Sequence, residues 1–165
     1  MPLGSFSLSN PQPLPYRNMT FPDDIVIQIS EAVIKDEPRK LADILLTFPS
    51  PDLDELGSWL SLAAAEGSLG CLSVLIKFGA DVNYQSEDGE SPFSYACANN
   101  QLESAKLLHS AGANVNGKLS SGLTPLDCAV CSSSPEFRHW LRSVGGTRTG
   151  TYPEWPWPPT PTDPH

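Results

Sequence analysis

The chain is poor in basic residues and lacks long apolar segments. Only 10 of its 165 residues are Lys or Arg, against 19 Asp or Glu, so the net charge is −9. Because nucleic-acid-binding proteins need clustered Lys and Arg against the phosphates, this composition argues against a nucleic-acid partner. No apolar run approaches the roughly 18 residues of a membrane-spanning helix, so no membrane partner is expected. The acidity instead favours a basic partner.

The features of a secretion signal are missing as well. The N-terminal segment, MPLGSFSLSNPQPLPYRNMTF, has neither a basic start nor a continuous apolar stretch. A secretory signal carries both. We therefore expect a cytoplasmic protein, with the nucleus as the alternative location, whose cysteines stay reduced.

Side chains suited to catalysis or metal binding are scarce. The histidines are only three: His109, His139 and His165. Cys128-x-x-Cys131 resembles half of a zinc site, but a second such pair or paired histidines are absent. An enzyme needs a nucleophile or an acid/base pair at close range. The sequence therefore predicts no catalytic residue, no metal and no cofactor.

Proline is concentrated at the two ends of the chain. Of 17 prolines, five precede Asp23 and six follow Tyr152. Proline-rich segments are extended rather than helical. We predict a proline-rich N-terminal extension over 1–22, a folded domain over 23–146 and a Pro/Trp-rich C-terminal tail over 147–165.

Two motifs inside the folded part recur at one fixed spacing. Gly79–Asn83 (GADVN) recurs as Gly112–Asn116 (GANVN), and Ser91–Phe93 (SPF) recurs as Thr124–Leu126 (TPL). One period earlier the chain has Ser58–Leu60 (SWL), without the proline. A fixed period of about 33 residues is typical of stacked repeats.

Each recurring residue has a physical reason for its place. Ser91 and Thr124 can cap a helix N-terminus, and the proline after each fits the first helical turn. Gly79 and Gly112 can supply the left-handed residue that ends a helix. Small side chains let adjacent helices approach closely, and they recur at the same spacing as Ala63, Ala96 and Ala129.

This pattern resembles the ankyrin repeat, in which T-P-L-x-x-A opens a helix pair and L-L-x-x-G-A-x-V-N closes it. The resemblance covers about three-quarters of the chain and implies an all-α solenoid of stacked helix-turn-helix pairs with short turn fingers. We predict about four repeats, with the first and the last degenerate. Their approximate ranges are 24–50, 53–83, 86–116 and 119–146.

The resemblance also implies a protein-binding surface, because ankyrin domains bind through the turn fingers and the exposed face of the first helix of each pair. The predicted contact residues at these positions are Asp54, Glu55, Glu66, Tyr84, Glu87, Asp88, Glu90, Asn99 and Leu123. Their acidity has two interpretations, a solvated edge or a docking strip for a segment that carries Lys or Arg. Tyr84 is either an anchor for the partner or packs on the finger below it.

The aromatic residues of the tail suggest a docking segment. Tyr152, Trp155 and Trp157 are costly to leave in water. The tail could cover the end of the stack, bind a partner or be disordered, and we favour docking, either to the stack or to a partner.

The function predicted from the sequence is protein–protein interaction without chemistry. The chain would be an adaptor, an inhibitor or an immunity-type binder for a protein with a basic or amphipathic segment. It would be a monomer alone or a hetero-oligomer with that partner. The alternative is an enzyme or accessory subunit of a small-molecule pathway, with a pocket between the stack and the aromatic tail. A structural module of a larger assembly is a third interpretation.

Overall fold

The computed structural model describes residues 21–48 and 52–149, which contain eight helices and no strand. In chain order the helices are α1 Asp23–Ile34, α2 Pro38–Thr47, α3 Leu53–Glu66, α4 Leu69–Lys77, α5 Pro92–Ala98, α6 Leu102–Ser110, α7 Pro125–Ser132 and α8 Pro135–Ser143. The first helices of the pairs (α1, α3, α5 and α7) pack side by side. Behind them α2, α4 and α6 form a second layer, and α8 packs on α7. The predicted all-α stack of helix pairs is confirmed.

Nothing in the described helices is suited to crossing a bilayer. The longest of them, α3, has 14 residues, and none of the helices within 21–48 and 52–149 combines the length and the apolarity of a membrane span.

The helix starts predicted from Ser91 and Thr124 are confirmed. Each side chain accepts a hydrogen bond from the backbone N–H three residues on, and the side chain there, Ser94 or Asp127, accepts one from the cap in return. A proline occupies the first turn in both helices, where a missing N–H costs nothing.

The predicted glycines lie just after the ends of α4 and α6. Gly79 and Gly112 have φ angles of 91° and 96°. One period later Gly145 has a φ of 91°, although the sequence there reads SVGG. The last repeat therefore ends like the regular ones, because glycine adopts the left-handed conformation without a steric penalty.

Helix α3 is longer than its counterparts. It has 14 residues, whereas α5 has 7 and α7 has 8. Gly89 and Gly122 have positive φ angles in the turn fingers, but the equivalent position one period earlier is Leu56, and leucine resists that conformation. The Asp52 carboxylate accepts a hydrogen bond from Asp54 N–H at 3.1 Å and starts the helix early. The first turns of α3 therefore replace a turn finger.

Asparagines connect successive repeats. The Asn83 side-chain amide donates to Gly112 O at 3.2 Å, and Asn83 Oδ1 accepts from Asn114 N–H at 2.8 Å. Asn116 makes the equivalent two bonds one period later, with Gly145 O and the N–H of residue 147. The two asparagine side chains therefore hold the register between neighbouring pairs.

Two contacts lie just outside the predicted bounds of 23–146. At one end Phe21 is buried, with its ring edge-on to Phe48 and Trp59 at centroid distances of 5.0 Å each. At the other end the chain at Thr147 and Thr149 runs back across the start of α7.

Asp127 attaches this returning segment. Its buried carboxylate accepts hydrogen bonds from Thr124 N–H at 3.0 Å, and from Thr149 N–H and hydroxyl at 3.1 and 2.8 Å. Arg148 Nε lies 3.2 Å from the second oxygen. Burial alone would raise the pKa of Asp127, but the hydrogen bonds from Thr124 and Thr149 outweigh it and hold the pKa well below its usual range.

Asp127 should therefore make stability depend on pH. Because its folded-state pKa is lowered, its contribution is complete above the ordinary Asp pKa of about 3.9 and decreases as the pH falls below that value. We expect Asp127→Asn to lower the free energy of unfolding at pH 7 by about 2 kcal/mol. Urea denaturation at pH 7 and pH 3 should show the difference from wild type shrinking at the lower pH. The exposed Asp43→Asn is the control, and a pH-independent loss in Asp127→Asn would contradict the assignment.

A second stability prediction concerns Ser104. Its side chain is buried in α6, and its hydroxyl has no hydrogen-bond partner in the described residues. Ser104→Ala removes a desolvated polar group and places the best helix former in the helix, so we expect stabilisation by about 1 kcal/mol. The matched control is Ser94→Ala, which removes an equally buried hydroxyl that accepts a hydrogen bond from Ser91 N–H in the capping box of α5, and which should destabilise. Equal losses of melting temperature in both variants would refute the prediction.

Candidate partner-binding surface

Two turn fingers, 86–90 and 119–123, lie next to each other at one side of the stack. In the first, 86–90, Ser86 N–H donates to Glu90 O at 2.9 Å. In the second, 119–123, Leu119 N–H donates to Leu123 O at 3.0 Å. Ser120 N–H donates to the carbonyl of Asp88 at 3.1 Å, which joins the two fingers edge to edge. Backbone hydrogen bonds thus fix the shape of each finger and join the two fingers.

The acidic residues of the first finger differ in exposure. Glu87 and Asp88 are exposed, whereas Glu90 is half-buried. Burial and a hydrogen bond with the Glu90 carboxylate both raise the pKa of Tyr95. Glu90 is therefore held by α5, and Glu87 and Asp88 remain available to a partner. In the second finger Leu123 is half-buried.

In the second repeat the predicted acidic residues lie on helix α3 and not on a finger. Asp54 and Glu66 are exposed at its two ends. Glu55 is half-buried, and one of its carboxylate oxygens is buried without a hydrogen-bond partner in the described residues. Burial is the main cause of its raised pKa, and Asp52 raises the pKa further, while a hydrogen bond from the Phe21 backbone opposes the shift. Glu55 thus faces the buried Phe21.

Tyr84 packs on the preceding repeat. Its ring covers Gly57 of α3 so closely that a Cβ there would collide with it. Its hydroxyl lies 3.1 Å from Ser58 Oγ. Of its two predicted roles, these contacts correspond to packing, although on a helix and not on a finger. Asn99 is exposed just after α5, and its amide donates to Tyr95 O at 2.9 Å.

A shallow groove lies on the exposed side of α3. It encloses about 220 Å³, and its lining residues are Ser58, Ser61, Leu62, Ala65 and Tyr95. The predicted site did not include Leu62 and Tyr95. They are one repeat period apart, and on their helices both lie opposite the buried Leu60 and Phe93. The repeat period combined with helical geometry could have identified them.

Charge is divided between the two helix layers. The first helices carry seven acidic residues and no Lys or Arg; the acidic residues are Asp23, Asp24, Glu31, Asp54, Glu55, Glu66 and Asp127. The second helices carry six basic and three acidic residues; the basic residues are Arg39, Lys40, Lys77, Lys106, Arg138 and Arg142. The first-helix side is therefore negative and the opposite side is weakly positive.

Two of the cysteines, Cys71 and Cys97, have buried thiols that are not activated. Burial is the main cause that raises the pKa of Cys71, to about 12, with Asp36 adding to it. Burial also raises the pKa of Cys97. Cys128 is half-buried, and the side chain of Cys131 is outside the described part. Within 21–48 and 52–149, no group of three or more His, Cys, Asp or Glu is placed to hold a metal ion.

The tail residues Tyr152, Trp155 and Trp157 also lie outside the described residues. The predicted docking of the tail and the pocket beside it remain predictions.

Comparison with known proteins agrees with this architecture. A family model described as ankyrin repeats (3 copies) matches residues 60–148. No curated protein matches the chain. The matched segment spans more than half of the chain and contains the capping boxes, the left-handed glycines and the stacked first helices from α5 onward. The chain belongs to the ankyrin-repeat family, whose repeats are generally protein–protein interaction modules.

Proposed function

We propose that this protein binds another protein through the acidic face, defined as the exposed surface of α1, α3 and α5 together with the finger 86–90. The division of charge between the two layers carries this proposal. The first helices carry acidic residues and no Lys or Arg, and such a surface attracts a segment of opposite charge. The same field repels acidic competitors, so it contributes to the choice of partner as well as to the rate of association.

The acidic face offers shape as well as charge. The groove over α3 presents Leu62 and Ala65 beside the exposed carboxylates of Asp54 and Glu66. Apolar and acidic groups side by side suit a partner that has apolar and basic groups side by side. We therefore propose a basic amphipathic segment as the ligand, and an adaptor, an inhibitor or an immunity-type binder as the role.

Charge reversal tests the proposal. The probe is a fluorescein-labelled amphipathic peptide of Leu and Lys, about 14 residues long to match α3 at 1.5 Å per residue. We expect Glu66→Lys, Glu87→Lys and Asp88→Lys together to weaken binding by more than about tenfold at low salt, because three attractions become repulsions. Fluorescence anisotropy gives the Kd, and circular dichroism confirms folding.

The matched control reverses three acidic residues of the second helices. Asp43→Lys, Glu103→Lys and Glu136→Lys change the net charge by the same amount on the opposite side, so the peptide should bind with nearly unchanged affinity. Equal weakening by both triple variants would mean that only net charge matters. Unchanged binding by the acidic-face variant would refute the proposed surface.

A further inference from the structure

Helix α1 carries two large apolar side chains in solvent. Ile27 is 59% exposed and Ile34 is 56% exposed. They are seven residues apart, which is about two helical turns or roughly 10 Å, so they share one face of the helix. The buried residues Ile29, Ala32 and Val33 lie on the opposite face.

The two isoleucines continue the groove over α3. Ile27 and Ile34 have the same sequence offsets from buried Ile29 as Ser58 and Ala65 have from buried Leu60. Because α1 packs beside α3, equivalent positions on the two helices face the same side of the layer. The isoleucine side chains, which are larger than Ser58 and Ala65, therefore project further from the helix layer beside the α3 groove.

The groove then has two walls and a floor. Tyr95 of α5 forms one wall, and Leu62 and Ala65 lie in the floor. The equivalence of helix positions places the exposed Ile27 and Ile34 on the opposite, α1 side, which gives the second wall. Adjacent packed helices are separated by about 8–10 Å, so the axes of α1 and α5 lie roughly 16–20 Å apart. One helix with a diameter of about 10–12 Å fits between them above α3.

The rim of this groove is acidic. Glu31 is exposed on α1, and Glu66 is exposed at the end of α3. Glu31 pairs with Lys35 at 3.7 Å, but both side chains are exposed, and such pairs are weak. Basic side chains on a bound helix would therefore find acceptors on α1 and at the end of α3.

We propose that α1 supplies the apolar anchors of the binding site and that the ligand is an amphipathic basic helix lying along α3. Two apolar side chains of that helix, about two turns apart, contact Ile27 and Ile34, and its Lys or Arg residues face Glu31 and Glu66. The inference rests on the proposed function and deepens it. It assigns part of the binding energy to apolar contacts on the first repeat, in addition to the charge of the acidic face.

Charge favours a basic helix over the other candidate ligands of the groove. A second copy of the chain that docked by its own first helices would bring two acidic faces together, and like charges oppose such contact. The chain's own segment 1–20 holds a single basic residue, Arg17. A basic helix from another protein complements the rim.

The experiment removes the apolar anchors without changing the charge. Ile27→Ala and Ile34→Ala are combined, and the Leu–Lys peptide is titrated by fluorescence anisotropy at one ionic strength. A scrambled peptide of the same composition, in which Leu no longer lines one face, serves as the second probe. We expect the double variant to bind the amphipathic peptide at least about tenfold more weakly and the scrambled peptide with unchanged affinity.

Leu46→Ala is the matched control, because Leu46 is 72% exposed on α2 in the other layer. Its affinity for the amphipathic peptide should equal that of wild type. All three substitutions replace an exposed Ile or Leu in a helix by Ala. Thermal melts should show that both variants stay folded.

The outcomes separate this inference from the proposed function. If the double variant binds like wild type while the acidic-face variant binds more weakly, Ile27 and Ile34 are not anchors and this inference fails. The proposed acidic face is then still supported. If neither variant weakens binding, both proposals fall. Sedimentation velocity of the chain alone gives a further check, since a dimer abolished by Ile27→Ala and Ile34→Ala would assign the groove to a second copy and overturn the inference.

Discussion

Each helix pair of this protein is too small to bury its own apolar face, so the fold depends on close contact between neighbouring pairs. The first helices approach through alanines that recur once per repeat, Ala63, Ala96 and Ala129, all fully buried. A larger side chain at these positions would separate the helices and open voids. The capping boxes, the left-handed glycines and the asparagine bonds serve this contact, because they hold the later pairs in the same orientation.

Among the described helices the constraint is hardest to meet at α1 and α7, each of which packs beside a single first helix. At the C-terminal end the chain returns over α7, and Asp127 fixes it with charge-assisted hydrogen bonds. At the N-terminal end Phe21 packs on Phe48 and Trp59. Helix α1 nevertheless keeps Ile27 and Ile34 in water. Covering them would add hydrophobic free energy that the described stack does not gain, and this is the physical reason for the proposed partner.

Much of the fold could be predicted from the sequence because its signals are local. A serine or threonine before a proline starts a helix, and a glycine after a leucine-rich segment ends one. The candidate surface was harder to predict. Its acidic residues were identified by position in the repeat, but Glu55 and Glu90 proved half-buried and Tyr84 proved to be packed on Gly57. Repeat position alone does not report which neighbour covers a side chain.

The sequence by itself determined the repeat period, the helix pairs and the acidic balance of the chain, because caps, glycines and charges act within a few residues. Only the tertiary structure decided that α3 extends through the place of a finger, that Asn83 and Asn116 bond to the next repeat, and that charge is divided between two layers. The asparagine bonds and the division of charge depend on residues about one repeat apart in the chain, which meet only when the pairs stack. The groove over α3 exists for the same reason, since residues of two separate helices, α3 and α5, line it.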